Sequence, residues 1–331
     1  MPPPGAALGS GVIDLKIVFM GTPQIAVPSL QALIEAGHEI LAVVTQPDRP
    51  KGRGNRMAMP EVKLAAIAAG IPVFQPASLR REHFADVLAP LHPDVIVVMA
   101  FGQILPKEIL ELPQYGCINV HASLLPKYRG CAPIQQAILD GEKTTGVTIM
   151  HMAEGLDTGD MILQRSTEIR PSETAGELSD DLAALGAELL CEALRQVEAG
   201  TAPRIPQPEA GASYAKKIEK EDGRLDFSEE PEALVRRIHA FAPHPGAFTT
   251  LDGKLLKIWD AGVETQQSQQ VFCGGNRPGM ILALSKDAML VSAGHGVLAV
   301  TVVGPEGKKP MDVAAWGRGF RIPTGHILGG E

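Results

Sequence analysis

From Lys16 onward, hydrophobic positions come in short continuous runs separated by stretches with helical spacing. Lys16–Met20, Glu39–Thr45 and Pro72–Gln75 read as strands, and Asp94–Ala100 reads as one buried on both faces because Val-Ile-Val-Val leaves it no polar side. Gly116–His121 is a further strand, and Gly146–Met152 with Met161–Ser166 reads as a pair flanking a turn. Between them, helices are predicted over Ala26–Ala36, Glu61–Ala69 and Arg80–Leu88, the first two closed by Gly37 and Gly70. A long amphipathic helix follows over Glu173–Val197, with Ser172 as its N-cap and Gly200 past its end. Such alternation predicts an α/β domain: a Rossmann-like, mostly parallel sheet with helices on both faces.

The texture then changes. Thr201–Gly211 carries Pro203, Pro206 and Pro208 and reads as a linker. After a helix at Glu230–Ala240, short strands are predicted at Ala247–Leu251, Leu255–Ala261, Gly279–Leu284, Ala288–Ser292 and Val297–Val303. Five short strands at this spacing suggest a small OB-like β-barrel. The expected organisation is a lead-in over residues 1–14, an α/β domain over 15–202, a linker over 203–213 and the barrel over 214–331.

Composition refines this picture. The 331 residues suit two domains, and with 45% hydrophobic but only 4% aromatic residues the cores must be aliphatic. The four cysteines (Cys117, Cys131, Cys191 and Cys273) form no CxxC pair and read as reduced thiols, as in a cytoplasmic protein. No signal-peptide pattern opens the chain, and no apolar run is long enough to span a bilayer. Nothing demands more than a monomer or a metal. The net charge of −8 argues against nucleic acid, but its placement softens that objection. Residues 1–211 hold 16 basic and 24 acidic residues, whereas residues 212–331 hold 14 of each, so an RNA partner docking through local basic patches is compatible.

The candidate chemistry begins at Asn119-Val120-His121-Ala122-Ser123-Leu124-Leu125-Pro126. Asn119 and His121 lie two apart on a strand, so both side chains point to one face at the strand's C-terminal end, where open α/β sheets place their ligands. An amide beside an imidazole suits acyl transfer, because both can stabilise an oxyanion and the imidazole can relay a proton. Spacing alone leaves open a plainer reading, in which loop backbone satisfies both groups. Gly155-Leu156-Asp157-Thr158-Gly159-Asp160 places a carboxylate in a tight turn. Near His121 it would orient the imidazole and favour the cation, although an Asp bonded to its own turn is the commoner arrangement. No GxGxxG and no GxxxxGK[ST] occurs, which leaves a dinucleotide or ATP cofactor without support.

Taken together, Asn119-x-His121-x-Ser-Leu-Leu-Pro, Lys127-Tyr128-Arg129-Gly130, Ala132-Pro133-Ile134-Gln135, Gly146-Val147-Thr148-Ile149-Met150 and Gly155-Leu156-Asp157-Thr158-Gly159-Asp160 resemble the folate-dependent formyltransferases, in the branch that acts on initiator methionyl-tRNA. The likeness runs over nearly the whole chain from Lys16, and one small departure is Ala122, where the family often has Gly. The resemblance implies a catalytic trio of Asn119, His121 and Asp157. It also implies a 10-formyltetrahydrofolate site formed by Ser123, Leu124, Leu125 and Pro126, with Phe101, Ile104 and Leu105 on the loop after the central strand. Thr45–Gly54 is similar to the family's acceptor-end loop, which implies tRNA contacts by Lys51, Arg53 and Arg56. Tyr214–Ile218 and Arg237–Ala247 resemble its C-terminal domain, which implies further contacts by Lys216, Lys217 and Arg237. The rival readings are a sugar-amine or glycinamide ribonucleotide formyltransferase, a formyltetrahydrofolate hydrolase and, from another class, a noncatalytic RNA-binding protein.

Overall fold

The computed structural model describes residues 14–51, 56–264, 276–320 and 324–330, with the side chain of Lys51 left out. The chain forms two compact units. One comprises the chain up to Arg129 with Gly146–Ser166 and Asp180–Ser213; the other comprises Gly130–Thr145, Thr167–Ser179 and the chain from Tyr214 onward.

The strands of the first half are β1 (Lys16–Gly21), β2 (Glu39–Val44), β3 (Arg49–Lys51), β4 (Arg56–Ala58), β5 (Val73–Phe74), β6 (Val95–Met99), β7 (Cys117–His121), β8 (Arg129–Gly130), β9 (Thr144–His151) and β10 (Met161–Glu168). The helices are α1 (Val27–Glu35), α2 (Glu61–Ala68), α3 (Ala85–Leu88), α4 (Lys107–Leu110), α5 (Pro133–Leu139) and α6 (Ala175–Glu198). Seven strands form one sheet in the order β10-β9-β7-β6-β1-β2-β5. β1 pairs in parallel with β2 and β6, β2 with β5 and β6 with β7, whereas β9 runs antiparallel to β7. The predicted parallel sheet is therefore present, with β1 at the point where the strand order reverses. β6 is buried at all five positions, in keeping with its apolar run. Burying each such Val or Ile side chain contributes about 1.5–3 kcal/mol.

Two helix predictions shift. Arg80–Leu88 contains only α3, because His83 adopts a left-handed φ of 46° that interrupts the helical path. The long helix is capped by Thr174, not Ser172: the Glu177 carboxylate accepts from the Thr174 N–H (2.9 Å) and the Thr174 hydroxyl accepts from the Glu177 N–H (3.3 Å).

The second unit carries β11 (Tyr214–Ala215), α7 (Pro231–Phe241) and the strands β12 (Ala247–Leu251), β13 (Lys254–Val263), β14 (Ile281–Leu284), β15 (Met289–Ala293), β16 (Gly296–Pro305) and β17 (Met311–Asp312). The sheet order is β12-β13-β16-β15-β14, with β17 on β16. Each of these strands runs antiparallel to its neighbour. The last described segment closes the gap between the two edges. On one side the Ile281 N–H donates to the His326 carbonyl and the Leu328 N–H to that of Gly279, each at 2.8 Å; on the other the Gly329 N–H donates to the Thr250 carbonyl at 2.9 Å. Gly279, at φ +83°, permits this closure: a Cβ there would lie 2.5 Å from the Leu328 carbonyl oxygen. The interior is the predicted aliphatic one, with Leu234 and Ile238 of α7 packed among Ile258, Met289, Val291, Leu298 and Val300.

Candidate functional site

Parallel strands aim their C-terminal ends at one edge of the sheet. At that edge β1 ends at Gly21, β6 at Met99 and β7 at His121. Ala100 turns the chain out of β6 with a φ of +48°, and the Thr22 hydroxyl ties the two loops by donating to the Phe101 carbonyl at 2.9 Å.

On β7, Asn119 and His121 share a face as the alternation required, and both are buried, at 7% and 6% exposure. The two nitrogens of His121 face different partners. Nε2 is 2.9 Å from the Tyr128 carbonyl oxygen. A carbonyl only accepts, so Nε2 carries a proton and Nδ1 is left to gain or lose one. Nδ1 is 3.8 Å from Asp157 Oδ2. That separation allows charge pairing and is longer than a direct hydrogen bond. Among the described residues, the Asn119 side-chain amide makes no hydrogen bond, which leaves its N–H donors available to a ligand. Cys117, on the same strand, is no nucleophile: burial pushes its thiol up to about 12.

Asp157 sits at φ +52° in the turn between β9 and β10, and Tyr128 is likewise left-handed at +61°. Left-handed, non-glycine backbone is uncommon and collects at functional sites, where surrounding bonds hold it. Gly159 is what lets this turn fold back. A Cβ at that position would stand 1.8 Å from the His151 carbonyl oxygen, so no side chain fits without moving backbone.

The turn is gripped from outside. Gln207 Nε2 donates to the carbonyls of Asp157 (2.8 Å) and Gly159 (2.9 Å), while its Oε1 accepts from Arg129 Nε at 3.0 Å. Two such neutral bonds contribute about 1 kcal/mol each. Arg129 is 1% exposed, and its charge is met by Glu209 at 3.4 Å. The stretch read as a linker is thus bonded in place; Ile205 also exchanges backbone bonds with Met161 of β10, at 2.8 and 3.0 Å.

The residues expected around the folate divide in two. Ser123 is fully buried and its hydroxyl donates to the Lys127 carbonyl at 2.7 Å. Leu125 is also inside; its N–H donates to the Thr148 hydroxyl (3.1 Å) and its carbonyl accepts from Gln164 (2.8 Å). Ser123 and Leu125 therefore shape the loop from within, and Leu124 and Pro126 are its half-buried wall. Phe101 and Leu105 are likewise drawn into the core beneath the sheet edge, alongside Val18, Met20 and Ile96. Ile104, by contrast, is 83% exposed. A cavity of about 430 Å³ lined by Tyr115, His151, Val197 and Arg204 contains none of the trio.

Of the residues expected to meet RNA, Arg53 lies outside the described residues and Lys51 is described by its backbone alone. Lys51 ends the first strand of a hairpin in which β3 pairs with β4, Lys51 opposite Arg56. The base of that hairpin is fixed. Asp48 accepts from Lys63 Nζ at 2.8 Å and from Gln75 Nε2 at 2.7 Å, and Gln75 also donates to the Gln46 carbonyl at 2.9 Å. The Lys63 bond, reinforced by Gln75, holds the Asp48 carboxyl below the usual carboxylate range. Arg56, Lys216 and Lys217 are exposed. Arg237 is not: its guanidinium donates to Glu229 Oε1 (2.8 Å) and to the Asp222 carbonyl (3.1 Å), so it is engaged within the second unit.

Tyr128 and Thr148, which the sequence showed only as motif positions with no role, and Gln207 and Ser213, which no motif contained, hold the site together. Nothing local in the sequence marks Gln207 or Ser213, whose partners lie 50 and 85 residues away.

Comparison with known proteins shows the family of the chain. The formyl transferase model matches residues 15–194 and the formyl transferase C-terminal domain model matches residues 217–321. Methionyl-tRNA formyltransferase of Syntrophus aciditrophicus is 49% identical over 316 residues, covering 95% of this chain and 99% of that protein. The protein of the same name from Clostridioides difficile is 49% identical over 315 residues, covering 95% and 100%. Among solved structures, HypX from Aquifex aeolicus in complex with tetrahydrofolic acid shares the fold at TM-score 0.64 and 20% identity; the match covers 92% of this chain and 47% of HypX, about half its length. WlaRD, a sugar 3N-formyl transferase, shares it at TM-score 0.63 and 20% identity, covering 90% and 100%. The chain belongs to the formyl transferase family, in the branch of the methionyl-tRNA formyltransferases.

Proposed function

We propose that this protein transfers the formyl group of 10-formyltetrahydrofolate to the α-amine of methionyl-initiator-tRNA. Similarity at 49% identity over nearly the full length of a methionyl-tRNA formyltransferase supports the acceptor, and the tetrahydrofolate-bound HypX of the same fold supports the donor. The observation that carries the chemistry is the approach of Asp157 to His121, with Nδ1 3.8 Å from Oδ2, at the C-terminal end of the strand whose same face carries Asn119.

When bound, 10-formyltetrahydrofolate supplies a formyl carbon to the attacking amine. A bond forms from the amine nitrogen to that carbon as the bond to the folate nitrogen breaks. The Asn119 amide, with no competing side-chain partner, donates to the oxygen on which negative charge develops. His121 holds Nε2–H on the Tyr128 carbonyl, so proton exchange is confined to Nδ1. Nδ1 takes the proton lost by the amine and returns it to the leaving nitrogen, and Asp157 stabilises the imidazolium in between. Exposed Ile104 and the half-buried Leu124 and Pro126 offer an apolar surface suited to a flat ring, with Phe101 and Leu105 supporting the loop from beneath and Ser123 and Leu125 shaping the wall.

On the RNA side, exposed Arg56 on the anchored hairpin and exposed Lys216 and Lys217 on the second unit supply cations for phosphate contacts, and the likeness of the segment to the acceptor-end loop adds Lys51 and Arg53. Arg237 contributes by bracing α7.

The test offers formyl-labelled 10-formyltetrahydrofolate with charged initiator tRNA, charged elongator tRNA, a nucleotide-linked amino sugar, glycinamide ribonucleotide or water alone. Label should appear on initiator methionyl-tRNA. Transfer only to a sugar amine or to glycinamide ribonucleotide, or release of free formate, would overturn the assignment.

A further inference from the structure

The segment joining the α/β sheet to β11 has a density of specific bonds that a spacer does not need, and these bonds lead to the two groups that hold His121. Gln207 closes on the Asp157 turn, with its amide donating to the carbonyls of Asp157 and Gly159. The amide can face only one way. Its oxygen receives the Arg129 guanidinium N–H at 3.0 Å, and a flipped amide would set oxygen against two carbonyl oxygens and NH₂ against a guanidinium. Six residues on, Ser213 acts on the other side of the ring. Its hydroxyl accepts from the Tyr128 N–H at 2.9 Å, its carbonyl accepts from the Arg129 N–H at 2.8 Å, and its own N–H donates to the Pro126 carbonyl at 3.3 Å. Tyr128 is the residue whose carbonyl takes Nε2–H of His121. Both Asp157 and Tyr128 are left-handed, a conformation that a non-glycine residue keeps only when its surroundings enforce it.

We propose that the connector Ile205–Ser213 is a positioning element for formyl transfer. Gln207 fixes the backbone that aims Asp157 at Nδ1, and Ser213 fixes the carbonyl that orients the ring through Nε2. Neither residue touches the reacting atoms. The proposal rests on the reading of Asn119, His121 and Asp157 as the reacting groups. It makes the connector part of the chemistry rather than a tether: losing the Gln207 amide or the Ser213 hydroxyl misplaces a partner of His121 without removing any bond to the substrate-binding wall.

The test is a kinetic cycle on the full-length enzyme with methionyl-initiator-tRNA and 10-formyltetrahydrofolate. Gln207→Glu keeps the side-chain volume and the acceptor for Arg129, but removes both N–H donors and sets a carboxylate against two carbonyls. It should lower kcat roughly 10- to 100-fold, the scale set by a misplacement of about 1 Å, with KM for each substrate within about twofold of wild type. In an Asp157→Asn background the same change should cost little more, because the group it positions is already disabled. Ser213→Ala is the milder variant: it should lower kcat by a smaller factor, and that loss should vanish in a His121→Ala background. A folded Gln207→Glu enzyme with wild-type kcat, alongside a slow Asp157→Asn enzyme, would overturn the connector's role and leave the trio standing. So would losses that multiply in the double variant. A wild-type rate for Asp157→Asn would instead overturn the trio and this proposal with it.

Discussion

His121 and Lys216 both carry an ionisable nitrogen, yet the structure treats them in opposite ways. His121 is buried on a strand end, with one nitrogen bound by a backbone carbonyl and the other facing a carboxylate on a conformationally constrained turn. Lys216 and its neighbour Lys217 stand exposed beside β11. The difference matches what the proposed function asks of each region. Transfer of one formyl group needs donors fixed before the substrates arrive, because reorganisation at the moment of reaction is what slows it. Attraction of a polyanion needs charge at the right face and tolerates mobile side chains, because phosphate contacts are additive and weakly directional. Single changes should therefore be severe in the first region and modest in the second.

The sharpest way to break that contrast is at the ring itself. His121→Ala should reduce turnover roughly 10²–10⁴-fold, and Asn119→Ala should fall in the lower part of that range, in steady-state assays with both substrates saturating. Next comes Gly159→Ala, which forces the His151 carbonyl and the turn apart. It should destabilise the fold by about 1–3 kcal/mol in denaturant titration and lower kcat without abolishing tRNA binding. On the exposed side, Lys216→Ala with Lys217→Ala should raise KM for tRNA while leaving kcat and the folate KM near wild type. The log–log salt dependence of tRNA binding should flatten by roughly 0.7–0.9 for each phosphate that is no longer neutralised. An unchanged salt slope would remove these lysines from the RNA interface.

The smallest effect expected is on pH stability of the second unit. His239 Nε2 lies 3.0 Å from Asp260 Oδ1, and Thr301 donates to Oδ2 at 2.6 Å. The His239 bond holds the Asp260 carboxyl below its ordinary range; the Thr301 bond adds to this, and partial burial opposes it. A carboxyl whose pKa is depressed on folding stabilises the native state at pH values above its unfolded value of about 3.9. That stability is lost as pH falls further, through the depressed native value. Asp260→Asn should flatten the acid limb of a melting-temperature profile below about pH 4 and leave formyl transfer at neutral pH near wild type.

Much of this was legible in the residues themselves. The continuous apolar run at Asp94–Ala100 announced a doubly buried strand, and β6 is that strand. The five late strands appear within two residues of their predicted bounds, because each is fenced by turn residues. The two-residue spacing of Asn119 and His121 put them on one face by strand geometry alone. What the pattern did not carry were facts of tertiary position. The resemblance implied that Phe101 and Leu105 belong to the folate site, yet they are drawn into the core. Arg237 read as a surface cation, yet its guanidinium is held by Glu229 and the Asp222 carbonyl. Prolines made 203–213 look like a tether, and no local signal announced that Gln207 and Ser213 would find partners 50 and 85 residues away.

Whether Asp157 acts on the reaction through His121 Nδ1 is tested most directly by formyl transfer with Asp157→Asn, both substrates saturating. Turnover should fall roughly 10²-fold or more, with tRNA and folate affinities preserved. Turnover within a few-fold of the wild-type enzyme would contradict that role.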